Sequence, residues 1–512
     1  MSQKENDDDK QHPDETIDQK IDKAIEEANR LFCARIYRVP EDLRTLNKSA
    51  YTPRVIAIGP LHRKKKHLRT PIVPFKMYYT NSLLDRVAKV MDIENNLTDQ
   101  KFKVLQQCEE KMAKCVEGAK KYYADDVTLD KEMMLVDGCF ILELLYCHRD
   151  KMSKQAGKKT TNGGDNGKSQ ALSSIPQPNG GEGSSKSGGG SVKQERFDPI
   201  FDNIWTADLV KQDLLLLENQ IPFFVLEELF KLTVAKIPDE NKLSLEEYVL
   251  SYFGNVMRPE NENCGSKKTS CCCCCLPTCL PGYCVLSVGD CVLSVGRSTQ
   301  ESEHHKLPGH KYYHILHLVH DYELPGGQGE NKQKKYTGLE VSASELDYAG
   351  VNFAPAEENK LFNVKFKEPP GICWWFHRAE FKIPTLNIDD STESILRNLI
   401  ALEQCCPGVQ RHFTSYAKFI DMLINSKKDV EVLKKAKVIR NHLGTDADVS
   451  RLFNKLCKEV VTGEFYFSEQ YQDAYKYSKY SWPKWMAYWK RKYFDSPWAF
   501  RGVIIVYPKG VT

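Results

Sequence analysis

Six of the thirteen histidines lie between His304 and His320. If residues 309–322 form one helix, His310, His314 and His317 fall within about 60° of one another, and Asp321 joins their stripe. Imidazoles at that spacing, completed by a carboxylate, make a ligand set for zinc. A polar helix face that happens to be rich in histidine is the plainer reading, and no metal is expected. Nine of the eighteen cysteines crowd between Cys264 and Cys291, among them the run Cys271, Cys272, Cys273, Cys274 and Cys275. Zinc ligands come as separated pairs that can surround an ion, which a contiguous run satisfies only trivially. A low-complexity insertion is the expectation, and S-acylation of the five thiols the alternative. Glu143, Glu218, Asn219 and Glu403 interrupt apolar runs. Carboxylates in such places can be acids or bases of raised pKa, but an unpaired buried charge is costly. They are expected to cap helices or to pair with cations such as Arg38 or Arg397.

Two further stretches carry clustered cations. His62, Arg63, Lys64, Lys65, Lys66, His67 and Arg69 read as a solvated basic loop, or else as a nuclear-localisation or nucleic-acid patch. Near the end of the chain Trp482, Trp485 and Trp489 recur at helical spacing with Lys490, Arg491 and Lys492 beside them. Rings packed on the domain are expected first. A membrane interface comes second, because amphipathic rings and cations suit the headgroup layer. No phosphate-binding loop, His-Glu-x-x-His, Gly-x-Ser-x-Gly or dinucleotide glycine fingerprint occurs, and no cofactor is expected.

The elements that must position these residues read mainly as helices. Residues 130–147 place Met133, Met134, Phe140, Ile141, Leu144 and Leu145 on a broad apolar face. Helices are also expected over 207–217, over 223–230 after the break at Pro222, and from Ile395 behind a capping box of Asp390 and Glu393. Two more run through Phe413–Ile424 and through Val449–Val460, the last capped by Asp446 or Asp448. Residues 54–58 and 379–388 look strand-like, with Pro384 weakening the second. The fold class is therefore mainly α with a minor β component, a helical domain interrupted by long flexible insertions.

The whole chain has 512 residues with 72 basic and 69 acidic side chains, net +3, which argues against a body built around nucleic-acid phosphates. Residues 1–30 are acidic and poor in apolar side chains, and are expected to be disordered. Residues 152–195 and 256–305 are expected to be flexible insertions and 324–338 a loop, because polar and Gly-rich segments bury too little to offset their ordering entropy. The duplicated run Cys284–Gly289 and Cys291–Gly296 is too short for a solenoid. That leaves one domain over 31–498 and a tail over 499–512. No secretory signal opens the sequence, and thiols in such a chain are expected to stay reduced in the cytoplasm.

Several segments carry a family resemblance. They are Ile36-Tyr-Arg-Val-Pro40, Ala50-Tyr-Thr-Pro53, Ile58-Gly-Pro60, Met133-Met-Leu-Val-Asp-Gly-Cys-Phe-Ile-Leu-Glu143 and Asp213-Leu-Leu-Leu-Leu-Glu-Asn-Gln-Ile-Pro222. Later come Arg397-Asn-Leu-Ile-Ala-Leu-Glu-Gln404, Asp429-Val430, Asn441-His-Leu-Gly444 and Tyr493-Phe-Asp-Ser-Pro-Trp498. In this order they resemble the plant family called domain of unknown function 247, over roughly residues 33–498. The resemblance implies no established activity. It implies a single membrane-spanning helix just after the Pro-Trp motif, and for some grass members a link to pollen–stigma self-incompatibility. Here residues 499–507, broken by Arg501, would rise only about 14 Å as a helix against a hydrocarbon core of about 30 Å, so they are not expected to span. The reading that results is a non-enzymatic interaction or signalling protein, cytoplasmic or peripheral on a membrane, with a protein partner and no specific nucleic acid. An enzyme using a site assembled across the fold and a nuclear nucleic-acid factor remain as alternatives.

Overall fold

In the computed structural model the described residues are 16–68, 73–91, 96–161, 198–238, 242–254, 256, 311–325, 338, 340–357, 360–369 and 378–480. The first half is helical: α1 (Ile17–Cys33), α2 (Glu41–Leu46), α3 (Val73–Met91), α4 (Leu97–Lys120), α5 (Lys131–Thr161), α6 (Ile204–Asp213), α7 (Phe223–Leu232), α8 (Leu245–Phe253) and α9 (Ile315–Glu323). Among the described residues the second half winds α10 (Ala343–Tyr348), α11 (Thr392–Cys405), α12 (His412–Leu423), α13 (Lys427–Lys435), α14 (Asp446–Leu456) and α15 (Ser468–Lys479) around five short strands. These are β1 (Val351–Pro355), β2 (Lys365–Lys367), β3 (Ala379–Ile383), β4 (Leu386–Ile388) and β5 (Ile439–Asn441). The mainly α class with a minor β component holds.

α5 is the central post of the first half. Asp130 Oδ1 accepts the Met133 N–H at 2.6 Å and starts the helix. From Met133 to Leu145 nearly every side chain is buried, all the way round, because α3, α4, α7 and α8 pack on different sides of it. A helix apolar on every side is a core helix, and no helix among the described residues is long and apolar enough to cross a membrane. α5 also runs through Thr161, ten residues into the stretch expected to be flexible. Lys151 anchors that extension, 3.4 Å from Asp202 and 4.7 Å from the centre of the Phe201 ring.

In the second half β1 and β3 are parallel, with Val351 opposite Ala379, and β2 joins β3 antiparallel, with Phe366 opposite Phe381. Alternate residues Ala379, Phe381 and Ile383 point into the core, as a sheet covered on one face requires. Phe353 stacks on Phe381 at 5.9 Å. Pro384 ends β3, and the chain starts again as β4, parallel to β5. One continuous apolar cluster joins both halves.

Four expectations need correction. Residues 1–30 are not wholly disordered, since α1 begins at Ile17 behind a capping box made by Thr16 and Gln19. Residues 54–58 form no strand. Their backbone N–H groups go to side-chain oxygens, as described below. Asp390 is no cap: Asp389 Oδ1 accepts the Thr392 N–H at 3.1 Å and its hydroxyl at 3.1 Å. Thr445, not Asp446 or Asp448, caps α14, and the helix stops at Leu456, short of Val460. Both aspartates fall in its first turn, where their charge favours the helix dipole.

Candidate functional site

The segment 213–222 gathers a dense set of buried polar bonds. Asp213, Glu218, Asn219 and Gln220 are all buried. Asp213 closes α6, and its carboxylate accepts the N–H groups of Arg54, Val55 and Ile56 at 2.8–3.0 Å. Asn219 takes the N–H of Ile58, two residues on, at 2.7 Å, and donates its amide to Ile56 O and Asp213 O. The extended piece 54–58 therefore runs along side chains instead of along a sibling strand. Gln220 donates to Leu214 O at 2.7 Å and Leu216 O at 2.9 Å. These carbonyls would otherwise continue the helix, which is why α6 ends at Asp213 and does not reach Leu217 as its apolar run suggests.

Glu218 reaches across to the N-terminal segment. It accepts the Val39 N–H at 2.7 Å and forms an ion pair with Arg44. His62 Nε2 lies 3.1 Å from its other oxygen, although the ring is not aligned for a hydrogen bond. Burial pushes the Glu218 carboxyl up, but His62, the Val39 amide and Arg44 outweigh it and hold it below the usual carboxylate range. From the second half Asn398 on α11 accepts the Leu217 N–H at 2.9 Å and donates to Ala50 O at 2.7 Å. Gly59 donates to Asp137 of α5 at 2.8 Å, and the same aspartate pairs with Lys76. At φ +68° Gly59 sits so close that a Cβ would lie 2.6 Å from Gln220 O. The motifs that were separate words in the sequence thus meet in one polar hub.

Glu403 caps α12, accepting Phe413 N–H at 2.8 Å and Thr414 N–H at 2.7 Å, with His320 Nε2 at 2.7 Å. Glu143 pairs with Arg86 at 2.7 Å. The expected structural role of these acids holds, with other partners: Arg38 bonds Asp125, and Arg397 bonds Glu393 of its own helix at 2.8 Å. Asp213, Asp137 and Asn398 carry as much of the hub as the residues singled out from sequence. The signal for Asp213 was there, a short carboxylate at the edge of four leucines.

Glu143 also opens onto a cleft of about 320 Å³, lined by Tyr79, Arg86, Lys89, Cys147 and Asp198. Burial raises the Glu143 carboxyl, with Arg86 opposing. Burial pushes the Cys147 thiol and the Tyr79 hydroxyl far up, and Tyr79 donates to Asp198 at 2.7 Å. Both therefore stay protonated, and neither is an activated nucleophile at neutral pH. The cleft brings two cations, Arg86 and Lys89, beside the carboxyls of Glu143 and Asp198.

Two members of the histidine stripe, His314 and His317, are committed to backbone groups. The helix begins only at Ile315, and His314 is its N-cap, extended in backbone, with Nδ1 accepting His317 N–H at 3.2 Å. His314 Nε2 lies 3.2 Å from Arg35 O, and His317 Nδ1 accepts the Tyr313 N–H at 3.2 Å. Burial depresses both rings, that of His314 to about 3. Asp321 is exposed on the helix and His310 lies outside the described residues. Among the described residues no group of three or more His, Cys, Asp or Glu could hold a metal ion. The basic cluster is split as well: His62 is buried, Arg63 pairs with Asp130 at 2.6 Å, and His67 Nε2 lies 3.1 Å from Pro53 O. Cys271 to Cys275 and the stretch from Trp482 to Lys492 lie outside the described residues.

Comparison with known proteins gives a consistent picture. The model of the family DUF247, described as plant protein of unknown function, matches residues 36–507. UPF0481 protein At3g47200 of Arabidopsis thaliana is 27% identical over 491 residues, covering 93% of this chain and 83% of that protein. A second Arabidopsis UPF0481 protein, At3g02645, is 30% identical over 142 residues, 28% of this chain and 25% of its own. No solved structure matches.

Proposed function

The chain belongs to DUF247, a plant family of unknown function, and from that premise we propose that it is a non-enzymatic interaction or signalling protein working at or beside a membrane. One observation carries the first half of this reading. The buried acids Asp213, Glu218 and Glu403 each hold backbone N–H groups, and Glu218 and Glu403 each face a buried histidine. Charges committed in this way make a rigid body, and rigid bodies serve recognition. The second half rests on the sequence of Trp482, Trp485 and Trp489 with Lys490, Arg491 and Lys492, rings and cations fitted to an anionic headgroup layer, where each cation contributes about 1 kcal/mol.

Vesicle flotation of the full chain tests it. Anionic vesicles are expected to carry the protein, neutral vesicles to leave it behind, and high salt or carbonate to release it. Replacing the three tryptophans with alanine should abolish flotation. Retention after carbonate, with Cys271 to Cys275 all changed to serine to remove any acyl chain, would overturn the peripheral reading. Saturable binding of a small metabolite in the Arg86 cleft, with turnover, would replace it by the enzyme reading.

A further inference from the structure

α1 is a 17-residue helix with no buried residue. Isolated helices of that length are marginal in water, so a second surface is needed to hold it. Its apolar side chains are exposed: Ile17 at 75%, Ile21 at 51%, Ile25 at 54% and Phe32 at 68%. Ile17 and Ile21 open a regular series, with Ile25 and Phe32 beside it. Ile17, Ile21, Ala24, Ala28 and Leu31 alternate by four and three residues, the seam of a coiled coil. Large and small residues are unevenly placed on that seam, isoleucines in its first half and alanines in the middle.

We propose that α1 pairs with α1 of a second copy of this chain, antiparallel about a two-fold axis. In that arrangement Ile17 faces Ala28 of the partner, and Ile21 faces Ala24. Each large side chain meets a small one, so the backbones approach closely and the layers interdigitate. The flanking charges select the same register. Lys20 of one helix lies beside Glu27 of the other, twice by symmetry, and Arg30 supports Glu27 from its own helix at 3.4 Å. A parallel pair would set Lys20 beside Ile25 and gain nothing from its charge. A lipid surface fits less well, because Asp18, Asp22, Glu26 and Glu27 outnumber Lys20, Lys23 and Arg30 on this helix.

The proposal is independent of membrane binding and is tested without vesicles. Sedimentation velocity of the full chain across a concentration series should show a reversible monomer–dimer equilibrium. Ile21→Glu should give a monomer whose body unfolds at a urea midpoint close to that of the wild-type monomer, since Ile21 is 51% exposed. Lys20→Glu or Glu27→Lys alone should weaken the dimer about tenfold, and the two together should restore it. A wild type that stays monomeric at about 100 μM, well above the micromolar range such a contact can hold, overturns the proposal. So does a dimer that survives Ile21→Glu, or a double exchange that fails to rescue. A monomeric wild type whose vesicle flotation is lost in Ile21→Glu would assign the stripe to lipid instead.

Discussion

Asp213 shows how much one side chain can organise. Its carboxylate serves three consecutive backbone N–H groups, and Asp213→Ala leaves that of Val55 without its acceptor in a half-buried place and that of Ile56 in a buried one. An unpaired buried donor costs about 1–3 kcal/mol, so a loss of about 3–5 kcal/mol in urea unfolding is expected. A midpoint within error of wild type would show that water replaces the carboxylate freely. Gly59→Ala tests the same hub from the other side. It meets both the left-handed backbone and the Gln220 carbonyl, and should cost about 2–4 kcal/mol. Recovery of wild-type stability in that variant would mean that the turn relaxes. That these acids are buried was legible, because polar residues inside apolar runs have nowhere else to go. Their partners were not. Glu218 finds Val39 at a separation of 179 residues, and no local pattern encodes such a pairing.

Elements were legible where a period and a punctuation mark agreed. Pro222 starts α7 and Pro384 divides β3 from β4, each by its missing N–H and fixed φ. They were illegible where side chains stood in for backbone. Residues 54–58 have the composition of a strand, yet Asp213 and Asn219 satisfy them, so no ladder forms. α9 is short because His314 folds its ring back onto the first turn, an act for which sequence gives no period. α1 was missed because its acids hid a seven-residue repeat and a capping box. One hydroxyl adds a two-way backbone tie to the packed face of α15: Tyr471 accepts Val341 N–H at 2.6 Å and donates to Val341 O at 3.0 Å. Tyr471→Phe should lower stability by about 2–3 kcal/mol and speed hydrogen exchange at α15 before the rest of the molecule. Uniform exchange, with α15 no faster than α5, would show that the helix is held elsewhere.

For the whole molecule the expected weakness is acid. Burial depresses His148 to about 4, His314 to about 3 and His412 to about 4. Below the ordinary histidine range the unfolded chain takes up these protons and the folded one does not. Stability is therefore complete above pH 6.5 and falls as pH drops, less steeply for the half-buried His148 than for the buried His314. Asp213 works in the opposite sense. Burial pushes it up to about 6 against its three backbone donors, so its folded form gains a proton first and returns about 1.4 kcal/mol per unit over part of that window. The depressed rings, His62 and His317 with them, outnumber the raised carboxyls Asp213, Glu143 and Asp421, so stability falls from pH 6 toward pH 4. Urea titrations at pH 7.5 and pH 5 should differ accordingly, and equal midpoints would contradict the burial of these histidines.

Asn398 has a consequence in time. It joins Leu217 to Ala50, and lies 348 residues after Ala50. At about 5–20 residues per second a ribosome needs roughly 17–70 s to cover that distance. The Ala50 carbonyl waits for its mate throughout that interval, and the Leu217 amide over its last 181 residues. Its helices can collapse early, but the hub closes only when α11 arrives. A chain wired in this way is exposed to chaperones for most of its synthesis, and its last half acts as the clasp of its first.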